Sequence, residues 1–237
     1  GICYLLFVLD HKDITKEFRV EKTSSGFSLY DCLLCFAVVV MLICLACEYR
    51  LIAFNGVILT ASCIFFPITM VISTFIGEIW GYRANVRLVI VLVITQFVFD
   101  TFLMAIVAIP SPEFFDLTPF YNYILPRRLP AASFSLLVTF LSEALILRYF
   151  QEGPRPLPRP VRILIANLVA STLLCFVDYS LLFGGIYPYE QIVNLASNVW
   201  KYKLITTLFF LPLILWFCKL WEINKPINRV VDTARLG

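Results

Sequence analysis

The sequence predicts an all-α polytopic membrane protein, a bundle of six transmembrane helices, and three observations lead to this prediction. Of the 237 residues, 60% are hydrophobic, and the mean hydropathy is +0.87. Only 15% of the residues are charged, whereas an average soluble domain has about 25%. The apolar residues also fall into stretches of about 20 residues, the length of helix that crosses a bilayer core of about 30 Å. These properties exclude an ordinary soluble enzyme, a disordered chain and a small secreted scaffold.

The apolar stretches divide the chain into three parts. Residues 1–28 form a polar N-terminal segment that contains the single histidine, His11. Residues 29–221 form the transmembrane domain, and residues 222–237 form a C-terminal tail. The six predicted spans lie at about residues 29–47, 56–79, 87–109, 131–150, 161–186 and 199–221.

The connections between these spans have distinct compositions. Residues 81–85 form a tight polar turn, and residues 110–130 form a long loop rich in proline and aromatic residues. Residues 154–160 form an extended linker of the polyproline type. Pro67 and Pro212 lie inside the second and sixth spans, where we expect them to permit bending.

The distribution of lysine and arginine predicts the orientation of the chain. Fourteen of these residues lie at the two termini and in the second and fourth connections, and five lie on the other side of the bundle. Because cytoplasmic loops carry the excess of positive charge, we expect both termini in the cytoplasm. The net charge of +3 then reflects topology, and nucleic acid is not an expected partner.

Cysteine and histidine argue against a metal site and against an enzyme. Cys32-x-x-Cys35 and Cys44-x-x-Cys47 lie within one apolar run, and a single straight helix cannot gather four zinc ligands. With one histidine outside the spans, the chain lacks a Ser–His dyad in the membrane and histidine ligands for haem. We therefore expect no metal, no cofactor and no enzymatic activity.

Ionisable residues inside the spans are the candidate binding residues. A charge at the centre of a span costs about 2.5–3.5 kcal/mol, so it is retained when it faces a partner or a wet cavity. Five residues fit this description: Glu78, Asp100, Glu143, Asp178 and Lys203. At about 1.5 Å per residue, Asp178 lies about 12 Å and Lys203 about 6 Å below the same surface, a difference that a lysine side chain can cover. The two can therefore form an ion pair, which would either line a cavity or only fix the helix register.

Polar residues at helical spacing predict that these groups converge on one cavity. Asn167, Ser171 and Asp178 share a helix face because they are separated by four and seven residues. A carboxylate can accept two hydrogen bonds from the N–H/NH₂ edge of a flat base, and aromatic rings can stack on it. The aromatic residues available for stacking are Trp80, Phe97, Phe99, Phe176 and Tyr179.

Residues 66–83, with the sequence FPITMVISTFIGEIWGYR, resemble the signature F-P-x-T-x-x-x-S-D-x-x-x-E-x-Y-G-Y-K/R of the queuosine precursor transporter family, also called vitamin uptake transporters. Weaker similarities lie in residues 127–145, residues 171–178 and the last span. Together they extend over about residues 50–220. The sequence departs from the family pattern at four places: Thr74 replaces Asp, Trp80 replaces Tyr, Glu143 replaces Gln, and Leu174-Cys175 replaces Gly-Gln or Gly-Asn.

The resemblance implies a multi-pass inner-membrane importer of a bacterium, which supplies a 7-deazaguanine base such as queuine or its precursors for tRNA modification. It implies that Glu143 or Asp178 holds the edge of the base and that Lys203 contacts Asp178 or a ring carbonyl. An alternative is the substrate-binding membrane subunit of an ATP-driven vitamin or nucleobase importer, with an ATPase partner; a homo-oligomer also remains open. The expected substrate-binding residues are Glu78, Asp100, Glu143, Asn167, Ser171, Asp178 and Lys203.

Overall fold

The computed structural model of the chain describes residues 28–54, 57–112, 116–154 and 156–234, without the side chains of residue 54 and residues 224–234. The predicted N-terminal segment, including His11, lies outside the described residues apart from Ser28. The chain divides into two compact units, residues 1–32 and residues 33–237.

In the first unit, the described residues show why the first helix begins at Leu29. The backbone N–H of Asp31 donates to Oγ of Ser28 at 3.2 Å, and the Ser28 backbone N–H donates to the Asp31 carboxylate at 3.1 Å. This reciprocal pair satisfies N–H groups that have no partner inside the helix.

The second unit is predominantly helical, as predicted, and helices comprise 84% of the described residues. Five of the described helices are long and apolar enough to cross a membrane, and α2 is a shorter apolar helix. The chain is therefore an all-α polytopic membrane protein, and its described part contains one small β-hairpin. In order, the elements are α1 (Leu29–Cys47), β1 (Leu51–Phe54), β2 (Val57–Thr60), α2 (Phe66–Ile79), α3 (Tyr82–Val107), α4 (Thr118–Glu152), α5 (Arg159–Phe183) and α6 (Tyr189–Ala234).

Residues 57–65, in the first part of the predicted second span, are not transmembrane helix. Strands β1 and β2 pair antiparallel, with Leu51 opposite Thr60, and a 3₁₀ turn at Ala61–Ile64 leads into α2. Hydropathy does not separate a short apolar strand from a helix, whereas Asn55-Gly56 between two apolar runs is a typical hairpin sequence. Pro67 consequently lies in the first turn of α2, where it needs no N–H partner, and does not bend a span.

The predicted loop at residues 110–130 is also largely wrong, because α4 begins at Thr118. Pro119 occupies its first turn, where proline is favoured. Pro126 and Pro130 lie inside the helix, and such prolines are tolerated in a membrane bundle where neighbouring groups satisfy the freed carbonyls. Arg128 is thereby placed on a buried helix face and not in a loop.

Other boundaries differ less from the prediction. The turn before α3 consists of Trp80 and Gly81, and only glycine readily adopts the φ of 82° found at Gly81. Helix α5 agrees with the predicted span and contains one π-helical turn, Leu174–Asp178. Helix α6 begins at Tyr189, earlier than predicted, and its backbone continues through the predicted tail as far as Ala234.

Two apolar clusters hold the second unit together at opposite ends. One joins Tyr179 and Phe183 of α5 to Val199 of α6, and we call this the hairpin end because Leu59 of β2 packs against it. The other joins Phe75 of α2 to Ile214 of α6, and we call it the linker end because the connection between α4 and α5 lies there. Large apolar side chains cover the outside, as expected for a lipid-facing surface.

Replacement of Gly81 by alanine tests the turn between α2 and α3. Its φ of 82° and ψ of −175° lie in a region that is accessible almost only to glycine. We expect Gly81→Ala to lower the free energy of unfolding by about 1–3 kcal/mol. Unfolding of the detergent-purified protein measures the change, and a variant as stable as wild type would show that the turn adopts another conformation.

Candidate functional site

The ionisable residues that were expected to share one pocket lie in three separate groups. The first lines a cavity towards the hairpin end, the second surrounds Glu143, and the third is an ion cluster at the linker end. Each group contains residues from several helices. The residues of one group lie at the same depth in the bundle, so position along the helix decides which group a residue belongs to.

The cavity has a volume of about 40 Å³ and is enclosed by residues of all six helices and the 3₁₀ turn. Three charged side chains line it: Glu48, Asp178 and Lys203. Phe66 and Tyr179 contribute aromatic rings to its wall. Of the aromatic residues predicted to stack on a ligand, Tyr179 is in the wall, whereas Phe97 and Phe176 are exposed on the outer surface.

Asp178 is positioned by the π-helical turn of α5. Both Leu174 and Asp178, the ends of this turn, line the cavity. The carboxylate is buried and accepts a hydrogen bond from Oγ of Ser135 on α4 at 2.6 Å. Single π turns within α-helices are frequent at functional sites, and this turn aims a carboxylate into the bundle.

Lys203 lines the same cavity and is only 6% exposed. Its ammonium group lies 4.2 Å from the centre of the Phe66 ring, a favourable cation–π contact. Among the described residues it forms no ion pair within 4 Å. The predicted direct pair between Asp178 and Lys203 is therefore absent in this conformation, although the cavity brings the two side chains together.

Asp100 lies behind the cavity wall. It forms an ion pair with Arg128 and accepts a hydrogen bond from the Gln96 amide at 2.8 Å. Arg128 also donates to the backbone carbonyl of Leu45 at 3.1 Å. Gln96 lines the cavity, so it separates Asp100 from the cavity.

Glu143 is fully buried in a network that joins four helices. Its two carboxylate oxygens accept hydrogen bonds from Thr74 at 2.6 Å and from Ser73 at 2.8 Å. The network extends to Asn85, which accepts from Ser73 at 3.0 Å, and to Asn167, which donates to Thr74 at 3.1 Å. Helices α2, α3, α4 and α5 are thus connected at one level.

Glu143, Asn167 and Ser171 are buried, but they lie outside the cavity lining. Asn167 and Asp178 are on the same helix and are separated by about 16 Å along its axis. The Glu143 network is therefore a second polar level, closer to the linker end.

Glu78 belongs to the ion cluster at the linker end. Its carboxylate forms ion pairs with Arg159 and Arg162, which lie in the first turns of α5. Arg159 also contacts Glu222 of α6 at 2.6 Å. The cluster connects α2, α5 and α6, and it lies outside the cavity lining.

Sequence reasoning missed several residues that build the cavity. Glu48 was overlooked because it is the first residue after the predicted first span, and Arg128 because it was assigned to a loop. Ser135 was missed although Arg128, Ala132 and Ser135 follow a helical spacing that marks one face. Phe66 was noted only as part of the family signature.

A family model described as "putative vitamin uptake transporter" matches residues 60–217, more than half of the chain. The chain belongs to this transporter family. Comparisons with curated proteins and with solved structures find no match.

Membership of the family makes the chain a multi-pass membrane transporter for vitamin-like substrates and not a member of an enzyme family. The matched segment includes Asp178, Lys203, Glu143 and Glu78, and it excludes Glu48. No finding supports the alternative of a subunit that depends on an ATPase.

The ion pair beneath the cavity gives a stability prediction. Asp100→Asn leaves the buried Arg128 guanidinium without its counter-charge, which costs about 3–5 kcal/mol in comparable buried pairs. Glu152→Gln is the matched control, because it breaks the exposed pair with Arg148 and is expected to change stability little. Thermal unfolding in detergent compares the two, and equal stabilities would show that Arg128 does not depend on Asp100.

Proposed function

We propose that the protein imports a queuosine precursor, a 7-deazaguanine base such as queuine or its precursors, across the bacterial inner membrane. The observation that carries the proposal is the cavity in which Asp178 and Lys203 lie beside aromatic rings within the segment that matches the transporter family. Residues 29–221 form the transporter domain in this proposal.

The chemistry of the cavity suits such a base. Ser135 occupies one oxygen of the Asp178 carboxylate, so the other remains available for the N–H/NH₂ edge of the ligand. Lys203 can donate to a ring carbonyl, and Phe66 and Tyr179 offer faces for stacking. A base edge that donates two hydrogen bonds and a carbonyl that accepts one is characteristic of guanine-like rings.

The cavity must enlarge to hold a base. Its volume of about 40 Å³ is far below the range of about 300–1,000 Å³ that is typical of ligand pockets. Three features support a helix rearrangement: the π-helical turn in α5, the prolines inside α4 and α6, and the ion cluster that fastens the linker end. We propose that this conformation is closed and that breaking the ion pairs of Glu78 opens the linker end.

The other predicted substrate-binding residues have supporting roles in this proposal. Glu143, Asn167 and Ser171 lie between the cavity and the linker end, so we propose that they contact the substrate after it leaves Asp178. Asp100 holds Arg128 and thereby supports the cavity wall. Glu78 acts at the linker end, which we propose faces the cytoplasm because the positively charged connections lie there.

Uptake in cells tests the function. A bacterial strain without queuosine synthesis and without its own importer is supplied with queuine or a precursor, and queuosine in its tRNA is measured. We expect modification only when this protein is expressed. We expect Asp178→Ala to reduce it at least about tenfold, because the carboxylate that orients the base is lost, while Glu152→Gln retains wild-type uptake. Wild-type uptake by both Asp178→Ala and Glu143→Ala would refute the site.

Two substitutions of Glu143 separate its role as a hydrogen-bond acceptor from its negative charge. Glu143→Gln keeps an oxygen that can accept from Thr74 or Ser73, whereas Glu143→Ala leaves the Thr74 hydroxyl without its acceptor and leaves Ser73 with Asn85 as its acceptor. An unsatisfied buried polar group costs about 1–3 kcal/mol. We therefore expect the alanine variant to unfold at a lower temperature than the glutamine variant, and equal unfolding temperatures would contradict this role of the network.

A further inference from the structure

The charges that line the cavity do not balance. Glu48 and Asp178 each contribute a carboxylate, and Lys203 contributes one ammonium group. Arg128 does not compensate the difference, because it is already paired with Asp100. If all of these groups were ionised, the cavity would carry one excess negative charge inside an apolar bundle.

The hydrogen bonding at the cavity also lacks donors. The Oε2 atom of Glu48 is buried and has no hydrogen-bond partner. Gln96, which is 0% exposed, also lines the cavity, and its Oε1 atom is likewise unpartnered. Both atoms are acceptors, and a carboxyl group that binds a proton becomes a donor. One added proton would therefore balance the charge and supply the cavity with one donor.

The surroundings of Glu48 favour its protonated form, chiefly because the carboxyl group is buried. Asp178 and Asp100 disfavour a further negative charge there, while Arg128 and Lys203 favour it. Burial has the largest effect, and with the charge of Asp178 it raises the pKa of Glu48, which directly follows α1, to about 8.

The other titratable groups nearby are thiols and phenols, which are uncharged near neutral pH: Cys44, Tyr49, Cys63 and Tyr179. Two carboxyl groups beside one site commonly share one proton, because like charges cannot both ionise at low cost.

We propose that Glu48 and Asp178 together bind one proton and that this proton is the ion that couples transport. The inference rests on the proposed import function. The proton enters with the substrate and neutralises the excess charge, so the closed bundle carries no net charge at the cavity. It leaves with the substrate when the opposite side opens, and the two carboxylates are then ready for the next proton.

Proteoliposomes distinguish coupling from transport itself. The purified full chain is reconstituted with the pH dye pyranine inside, and queuine is the probe. Exchange of labelled against unlabelled queuine needs no driving force, whereas accumulation against a gradient does. For wild type, we expect an acidic exterior to drive accumulation, and queuine entry to acidify the interior. For Glu48→Gln, we expect the ratio of accumulation to exchange to fall about tenfold, because a glutamine cannot release a proton.

Controls separate the outcomes. Glu152→Gln removes an exposed carboxylate far from the cavity lining and should behave as wild type. Wild-type exchange without acidification, accumulation driven only by a sodium gradient, or an unchanged ratio in Glu48→Gln would each overturn the proton proposal while leaving the importer intact. Absence of both exchange and queuine binding would instead refute the proposed function.

If the protein neither exchanges nor binds queuine, a measurement without substrate still tests whether Glu48 binds a proton. The infrared band of protonated carboxyl groups is recorded for purified wild type and Glu48→Gln as the pH rises through about 8. We expect a component that disappears with rising pH in wild type and is missing from the variant. Identical titrations would show that Glu48 binds no proton.

Discussion

The cost of placing charge in an apolar bundle governs the arrangement of every buried polar residue described above. In lipid there is no bulk water to compensate an ionised side chain, so each one needs a counter-charge, a hydrogen-bond partner, an aromatic face or a change of protonation. Asp100 is compensated by Arg128, and Glu78 by two arginines. Glu143 is surrounded by hydroxyl and amide groups, and Lys203 by an aromatic ring. Because the partners come from different helices, the same requirement fixes how the helices pack.

Two of the four departures from the family pattern illustrate this requirement. Thr74 and Glu143 stand where the family pattern has Asp and Gln, and the structure places them in direct contact at 2.6 Å. One acidic group is present in either arrangement, on α2 in the family pattern and on α4 in this chain. An aspartate at position 74 beside Glu143 would place two like charges together, so the two departures compensate each other.

Much of the fold was predictable from the sequence, because hydropathy and length directly reflect the bilayer. Helices α1, α3 and α5 lie close to the predicted spans. The hairpin and the N-terminal half of α4 were not predicted, for different reasons. Apolar strands and apolar helices have the same hydropathy, and proline, which breaks helices in soluble proteins, is tolerated in a membrane bundle where neighbouring groups satisfy the freed carbonyls.

The sequence indicated individual residues of the candidate site, but it did not indicate which of them lie together. Asp178 and Lys203, whose depths were both estimated from the same membrane surface, line one cavity, but they do not form the predicted ion pair. Glu78 and Glu143 were expected in the same pocket, but they lie at other levels, since a stripe of polar residues fixes a helix face and not a depth. Glu48 was missed because it follows a span and is buried only by tertiary packing.

The length of helix α6 determines how its bending would affect the two ends of the bundle. Its 46 residues extend about 69 Å, more than twice the thickness of the hydrocarbon core. Lys203 and Glu222 are about 28 Å apart on this rod, and Pro212 interrupts its backbone ladder between them. Bending of α6 at Pro212 would move Lys203 and Glu222 in opposite directions. The same motion of one helix would then open one entrance of the bundle and close the other.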